Sequence, residues 1–216
     1  MKNNITECVF ILDKSGSMCG LEADTIGGFN SMLKQQKQKT EQGRALVTTI
    51  MFSSESSIVH DRMDIDNVPF LTEKDYRVGG CTALLDAIGK AICHIESIHK
   101  YARAEDVPDS TLFVITTDGM ENASKEFTAE RLRKLIEKKK ECGWEFLFLG
   151  ANIDAVGTAK QFGISEDRSV NFICDSKGTA LNYAVLNDAV ASVRCSKKVD
   201  ANWKKRIEQD FSSRKK

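Results

Sequence analysis

Proline and tryptophan are scarce, with two of each in 216 residues, and neither a low-complexity tract nor an internal repeat interrupts the chain. No segment reaches the roughly 20 apolar residues needed to cross a bilayer. Met1-Lys2-Asn3-Asn4 leads into a short apolar run that stops at Asp13, without the long apolar stretch and small-residue cleavage site of a secretory signal. A cytoplasmic protein is the expectation. The seven cysteines (Cys8, Cys19, Cys81, Cys93, Cys142, Cys174, Cys195) are odd in number and irregular in spacing, with no C-x-x-C pair and no histidine at zinc-finger distance. This argues against a disulfide framework and a structural zinc, and for reduced thiols. Net charge is absent as well, 31 basic side chains balancing 31 acidic ones.

What is present is a globular composition, 41% hydrophobic, sufficient for a sizeable core. The neutral total conceals an asymmetry. Residues 197–216 carry eight positive side chains (Lys197, Lys198, Lys204, Lys205, Arg206, Arg214, Lys215, Lys216) against three negative ones (Asp200, Glu208, Asp210), so this segment sums to +5 and the rest to −5. The chain accordingly divides into a body, 1–196, and a basic C-terminal helix or tail, 197–216.

Apolar runs alternate with helical periods along the body. Cys8 to Leu12 reads as a strand buried on both faces. Ile26, Phe29, Met32 and Leu33 mark a helix over 23–40. Ala45–Phe52 and Ser57–Met63, joined by Ser53-Ser54-Glu55-Ser56, read as an antiparallel hairpin. A helix follows from about 83 to 100, then a strand at 112–117, a helix over 127–141 and a strand at 144–149. A helix at 153–162 is closed by Gly163, and a strand at 169–174 precedes a last long helix at 178–194. This order predicts a doubly wound, mostly parallel α/β sheet with one antiparallel edge strand and helices on both faces. With strand order 3-2-1-4-5-6, the first and fourth strands adjoin where the winding reverses, and sites lie beyond strand C-termini there.

Those two strands end in Asp13 and Asp118. Asp13-Lys14-Ser15-Gly16-Ser17 adds two hydroxyls in a D-x-S-x-S spacing, Gly79-Gly80-Cys81-Thr82 offers a third, and Thr116-Thr117-Asp118-Gly119 supplies the second carboxylate. Five oxygens from three loops suit a hard cation: magnesium prefers six oxygens, keeps several waters and usually meets one or two carboxylates. Taken singly the residues are ordinary, Asp13 an Asx-turn, Thr82 the N-cap of the next helix, Asp118-Gly119 a turn pair. Their conjunction in one topology is what carries the metal reading.

In this order and spacing, Asp13-x-Ser15-x-Ser17, Thr82 and Asp118-Gly119 resemble the metal-ion-dependent adhesion site of von Willebrand factor type A domains. The stretches Thr25-Ile26-Gly27-Gly28-Phe29-Asn30, Thr82-Ala83-Leu84-Leu85-Asp86-Ala87-Ile88-Gly89 and Thr116 to Ser124 resemble single-domain bacterial and phage members, and the likeness spans about residues 5–175. The resemblance implies that Ser15, Ser17 and Thr82 coordinate Mg2+, with Mn2+ or Ca2+ as substitutes, while Asp13 and Asp118 act largely through bound waters. It also implies that a protein partner's Asp or Glu carboxylate takes an open coordination position.

Two other function classes compete with such a binding module. A carboxylate-held magnesium also serves hydrolases and phosphoryl-transfer enzymes. Yet G-x-x-x-x-G-K-[ST], G-x-S-x-G and H-E-x-x-H are missing, His94 and His99 are five apart on one helix, and His60 has no evident partner. The expectation is a protein that is not an enzyme. Trp203 amid Lys204, Lys205 and Arg206 suggests nucleic-acid contact through the basic tail, or a seat at a membrane surface, against the plainer reading that Trp203 packs on the body. Arg131 to Lys140 reads as a solvated helix face. Cys19 and Cys81 flank the metal loops, with burial as small hydrophobes expected and a redox-gated site as the alternative.

Overall fold

The computed structural model describes residues 4–214. Its centre is a six-stranded sheet built from β1 (Ile5–Asp13), β2 (Arg44–Phe52), β3 (Ser56–Asp64), β4 (Ser110–Thr117), β5 (Trp144–Gly150) and β6 (Ser169–Asn171). The order is β3-β2-β1-β4-β5-β6, and all neighbours are parallel except the β2–β3 hairpin. Leu12 lies opposite Thr116, so β1 and β4 end side by side at the reversal of winding.

The apolar runs of the central strands follow from burial on both faces. In β1, Cys8, Phe10 and Leu12 point to one side, while Val9 and Ile11 point to the other. The first side packs against α1 (Glu22–Lys37), α5 (Ser176–Ser196) and α6 (Lys205–Arg214), through Phe29, Leu33, Leu186, Val190 and Ile207. The second packs against α2 (Leu84–Tyr101), α3 (Ala129–Glu141) and α4 (Ala155–Gln161), through Leu84, Ile88, Ile92, Leu132 and Ile136. Each such side chain contributes about 1.5–3 kcal/mol by burial, which is why the two-sided period of the strands governs the fold.

Several elements differ from the sequence reading in extent. The strand expected over 169–174 is three residues long, because its partner β5 ends at Gly150, whose carbonyl takes the last ladder bond from Phe172 N–H, and Asp175 then caps α5 by accepting from Gly178 N–H at 2.8 Å. The helix expected at 153–162 starts at Ala155, after Asp154 takes the N-cap, and Gly163 closes it at φ +83. Beyond α5, the segment read as a basic helix or tail contains the helix α6. In the C-terminal segment Trp203 is buried, its Nε1 donating to the Asp167 carbonyl at 2.8 Å, and Ile207 enters the same core. Arg206 pairs with Asp188 at 3.3 Å, Lys204 with Glu208 at 2.9 Å, and Arg214 with both Asp210 and Asp175. Lys215 and Lys216 lie outside the described residues.

The helix face at 131–140 is solvated and self-paired, with Arg133–Glu137 at 2.8 Å and Lys134–Glu130 at 2.6 Å. Lys139 is the departure. It is buried, 2.5 Å from Glu96 and over the Trp144 ring. Near the start of β1, the fully buried Glu7 accepts from Arg62 at 2.8 Å and meets His99 at 2.6 Å.

Candidate metal centre

Three loops converge at the C-terminal edge of β1 and β4. Ser15 N–H donates to Asp13 Oδ1 at 2.7 Å, the Asx-turn that the sequence suggests, and this turn swings the serines back across the strand end. Ser15 Oγ then stands 3.1 Å from Ser17 Oγ, and Ser17 Oγ donates to Asp118 Oδ1 at 2.5 Å. The Thr117 hydroxyl donates to Asp13 Oδ2 at 2.6 Å, tying the two strand ends together. The Thr82 loop is fastened by Gly16 N–H to the Gly80 carbonyl at 3.1 Å.

Gly119 shows where the hydroxyls point. A Cβ built there would lie 3.2 Å from Ser17 Oγ and 3.3 Å from Thr82 Oγ1, so hydroxyls from two different loops face one small space beside Asp118. Thr82 does not cap α2; that position belongs to Ala83, which has no capping side chain. Asp13, Ser15, Ser17, Thr82 and Asp118 are thus brought to one place. Asp13, Ser15, Thr82 and Asp118 are buried, and Ser17 is exposed at the mouth.

Burial is the main influence on Asp13, and it holds the carboxyl above its ordinary value against the hydrogen bonds from Ser15 and Thr117, with Asp118 adding to the rise. The donor set is two carboxylates and three neutral hydroxyls, a hard-oxygen set that fits magnesium. Among the described residues, no group of three or more His, Cys, Asp or Glu side chains is placed to hold a metal, and the oxygens gathered here are two carboxylates and three hydroxyls.

The thiol at the site is not one that the sequence singled out. Cys19 and Cys81 are exposed rather than buried. Cys174 instead donates through Sγ to Asp118 Oδ2 at 3.5 Å, and burial together with Asp118 pushes its thiol up to about 12. It follows a three-residue strand and belongs to no motif, so only the parallel β5–β6 pairing brings it to the edge. The histidines lie elsewhere: His60 Nδ1 is 3.0 Å from Thr49 Oγ1, His94 is paired with Asp61, and His99 with Glu7. A cleft of about 400 Å³ near His99 and Trp144 lies at the opposite edge of the sheet, where Lys139 and Glu96 are already paired with each other.

Solved structures give this architecture its class. The chain is similar to the vWF domain of the type V pili tip protein Mfa5 from Porphyromonas gingivalis, with TM-score 0.59, 10% identity, and 85% of this chain and 95% of that one covered. It is similar to a von Willebrand factor type A protein from Catenulispora acidiphila, with TM-score 0.58, 14% identity and coverage of 87% and 42%. The PilB minor pilin from Streptococcus sanguinis gives TM-score 0.60, 11% identity and coverage of 86% and 61%, so this chain spans under two thirds of that protein. No family model and no curated protein matches the sequence. The chain therefore has the fold of a von Willebrand factor type A domain.

Proposed function

We propose that the chain is a divalent-metal-dependent protein-binding module. Asp13, Ser15, Ser17, Thr82 and Asp118 would hold an Mg2+-type ion, and a partner's Asp or Glu carboxylate would take the remaining position on it. The observation that carries this reading is the convergence of Ser15, Ser17 and Thr82 hydroxyls on Asp118 at the switch point of the sheet. A shell rich in neutral oxygens leaves an ion attractive to an outside anion, and the protein surface around it sets which anion-bearing partner fits. The similar structures include a pili tip protein and a minor pilin, which accords with a binding role.

A reducing, cytoplasmic setting is part of the proposal. Among the exposed residues Cys19, Cys81, Cys93, Cys142 and Cys195 are all free thiols, a surface suited to that compartment. No helix among the described residues is long and apolar enough to cross a membrane. Binding is preferred to hydrolysis or phosphoryl transfer because each of the three histidines is engaged away from the five oxygens. It is preferred to nucleic-acid contact because the Trp203 ring is packed and several tail cations are ion-paired.

The test is a calorimetric Mg2+ titration of metal-stripped protein, comparing the wild type with Asp118→Ala. Saturable binding by the wild type, abolished in a variant that unfolds at a similar temperature, is expected. A folded wild type that takes up no Mg2+ would overturn the metal dependence.

A further inference from the structure

The chain that leaves Asp118 does not depart from the site but doubles back over the start of α2. Asn122 and Thr82 form a reciprocal pair: Thr82 N–H donates to Asn122 Oδ1 at 2.8 Å, and Asn122 N–H donates to the Thr82 carbonyl at 3.0 Å. Glu121 Oε2 accepts from Leu85 N–H at 2.9 Å, and Ser124 Oγ accepts from Asp86 N–H at 3.0 Å. The Ser124 hydroxyl in turn donates to Glu121 Oε2 at 2.8 Å. Asp86 answers by accepting the N–H groups of Lys125, Glu126 and Phe127 at 2.9, 3.0 and 2.8 Å.

The first N–H groups of a helix have no partner within it, and a side chain at the N-cap normally satisfies them. In α2 the N-cap is Ala83, which has nothing to offer. The N–H groups of Leu85 and Asp86 are met instead by Glu121 and Ser124, from a loop 36 and 38 residues away in sequence. Thr82, the hydroxyl residue nearest the helix start, is relieved of capping, and its Oγ1, like Ser17 Oγ, lies beside Gly119.

We propose that Asn122, together with Glu121 and Ser124, is a positioning element for the ion site. The loop caps α2 from outside so that the Thr82 hydroxyl is reserved for the metal, and Asn122 holds the Thr82 backbone in register with Asp118. This rests on the metal reading above. Groups that orient metal ligands typically change metal affinity by about 10–100-fold when removed, although they never touch the ion.

The experiment is a double-mutant cycle read by Mg2+ titration of metal-stripped protein, with Asn122→Ala, Thr82→Ala and the double variant. Asn122→Ala is expected to bind Mg2+ about tenfold more weakly or worse. The double variant is expected to be no weaker than Thr82→Ala alone, since Asn122 acts through Thr82. Asn122→Asp keeps an oxygen for the Thr82 N–H and is expected to restore tight binding. If Asn122→Ala does not fold, Ser124→Ala, which removes the acceptor of the Asp86 N–H and the hydroxyl donor to Glu121, takes its place in the cycle. Equal affinity of wild type and variant, or losses that simply add in the double variant, would overturn the inference while leaving the metal site standing. A folded wild type that binds no Mg2+ would overturn both.

Discussion

Asp13 pairs with hydroxyl and amide hydrogens only, from Thr117 and Ser15. Its carboxyl is raised by burial, so its ionisation is favoured less in the folded chain than in the unfolded one. The sign follows. Any stabilisation from holding this proton is complete below the ordinary aspartate value of 3.8 and is lost as pH rises through the elevated folded value. Asp13→Asn is therefore expected to raise the melting temperature of the metal-free protein at neutral pH. The gap from wild type should open as pH climbs from the acid side and then level off. Melting curves at a series of pH values, in chelator, check this, and a gap independent of pH would show that ionised Asp13 imposes no cost. Other residues of the recognised stretches serve packing instead. A Cβ at Gly28 would lie 2.2 Å from the Tyr183 ring, and one at Gly89 would lie 2.4 Å from Phe127, so these glycines admit aromatic neighbours. Asn30 brackets Leu71 with both amide atoms, at 2.8 Å to its N–H and 2.9 Å to its carbonyl. Asp13 and Asp118 were legible because buried parallel strands read as unbroken apolar runs and both runs stop at a carboxylate. Cys174 was not, since its nearness to Asp118 spans 56 residues and follows a strand too short to leave a pattern.

At the scale of elements, α6 is the one that sequence periodicity announced least. Its residues are mostly polar, and of its side chains only Ile207 is buried; the connecting Trp203 and Val199 complete its anchorage. Removal of a packed indole costs about 3–5 kcal/mol, so Trp203→Ala is expected to lower chemical stability by this order and to speed amide exchange along α6. A urea midpoint unchanged from wild type would mean that the segment rests on the body without supporting it. In the last turn of α5 the buried Arg194 donates to the carbonyls of Gln36, Lys39 and Gly43, closing off the C-terminus of α1 with a guanidinium rather than a glycine. The helix periods located α1, α2 and α3 well because each buries a regular stripe. The short β6 and the burial of Lys139 escaped because the end of β5 at Gly150 and the Glu96 carboxylate that determine them are remote in sequence.

At the scale of the whole molecule, the two-sided core and the winding order place every candidate ligand at one pole. A ligand that binds only the folded state stabilises it by about 2.7 kcal/mol at a hundredfold excess over its dissociation constant. Under the proposed chemistry, Mg2+ is expected to raise the melting temperature progressively with concentration in the wild type, and to have no such effect on Asp118→Ala. Thermal melts across a magnesium series provide the check; parallel rises in both proteins would point to nonspecific ion effects.

Strand β1 carries a buried carboxylate near each end, and the two are treated differently. Glu7 sits between the Arg62 guanidinium and the His99 imidazole, whereas Asp13 has only neutral donors and a second carboxylate, Asp118, for company. One strand thus joins an electrically settled pole to a negative one. An approaching carboxylate would be repelled by the bare pair of aspartates, and a divalent ion between them would cancel that repulsion at the very spot where it opens a coordination position. Metal uptake would then govern how fast a partner arrives as well as how tightly it holds, so the association rate should respond to magnesium even for partners whose final contacts lie mostly elsewhere.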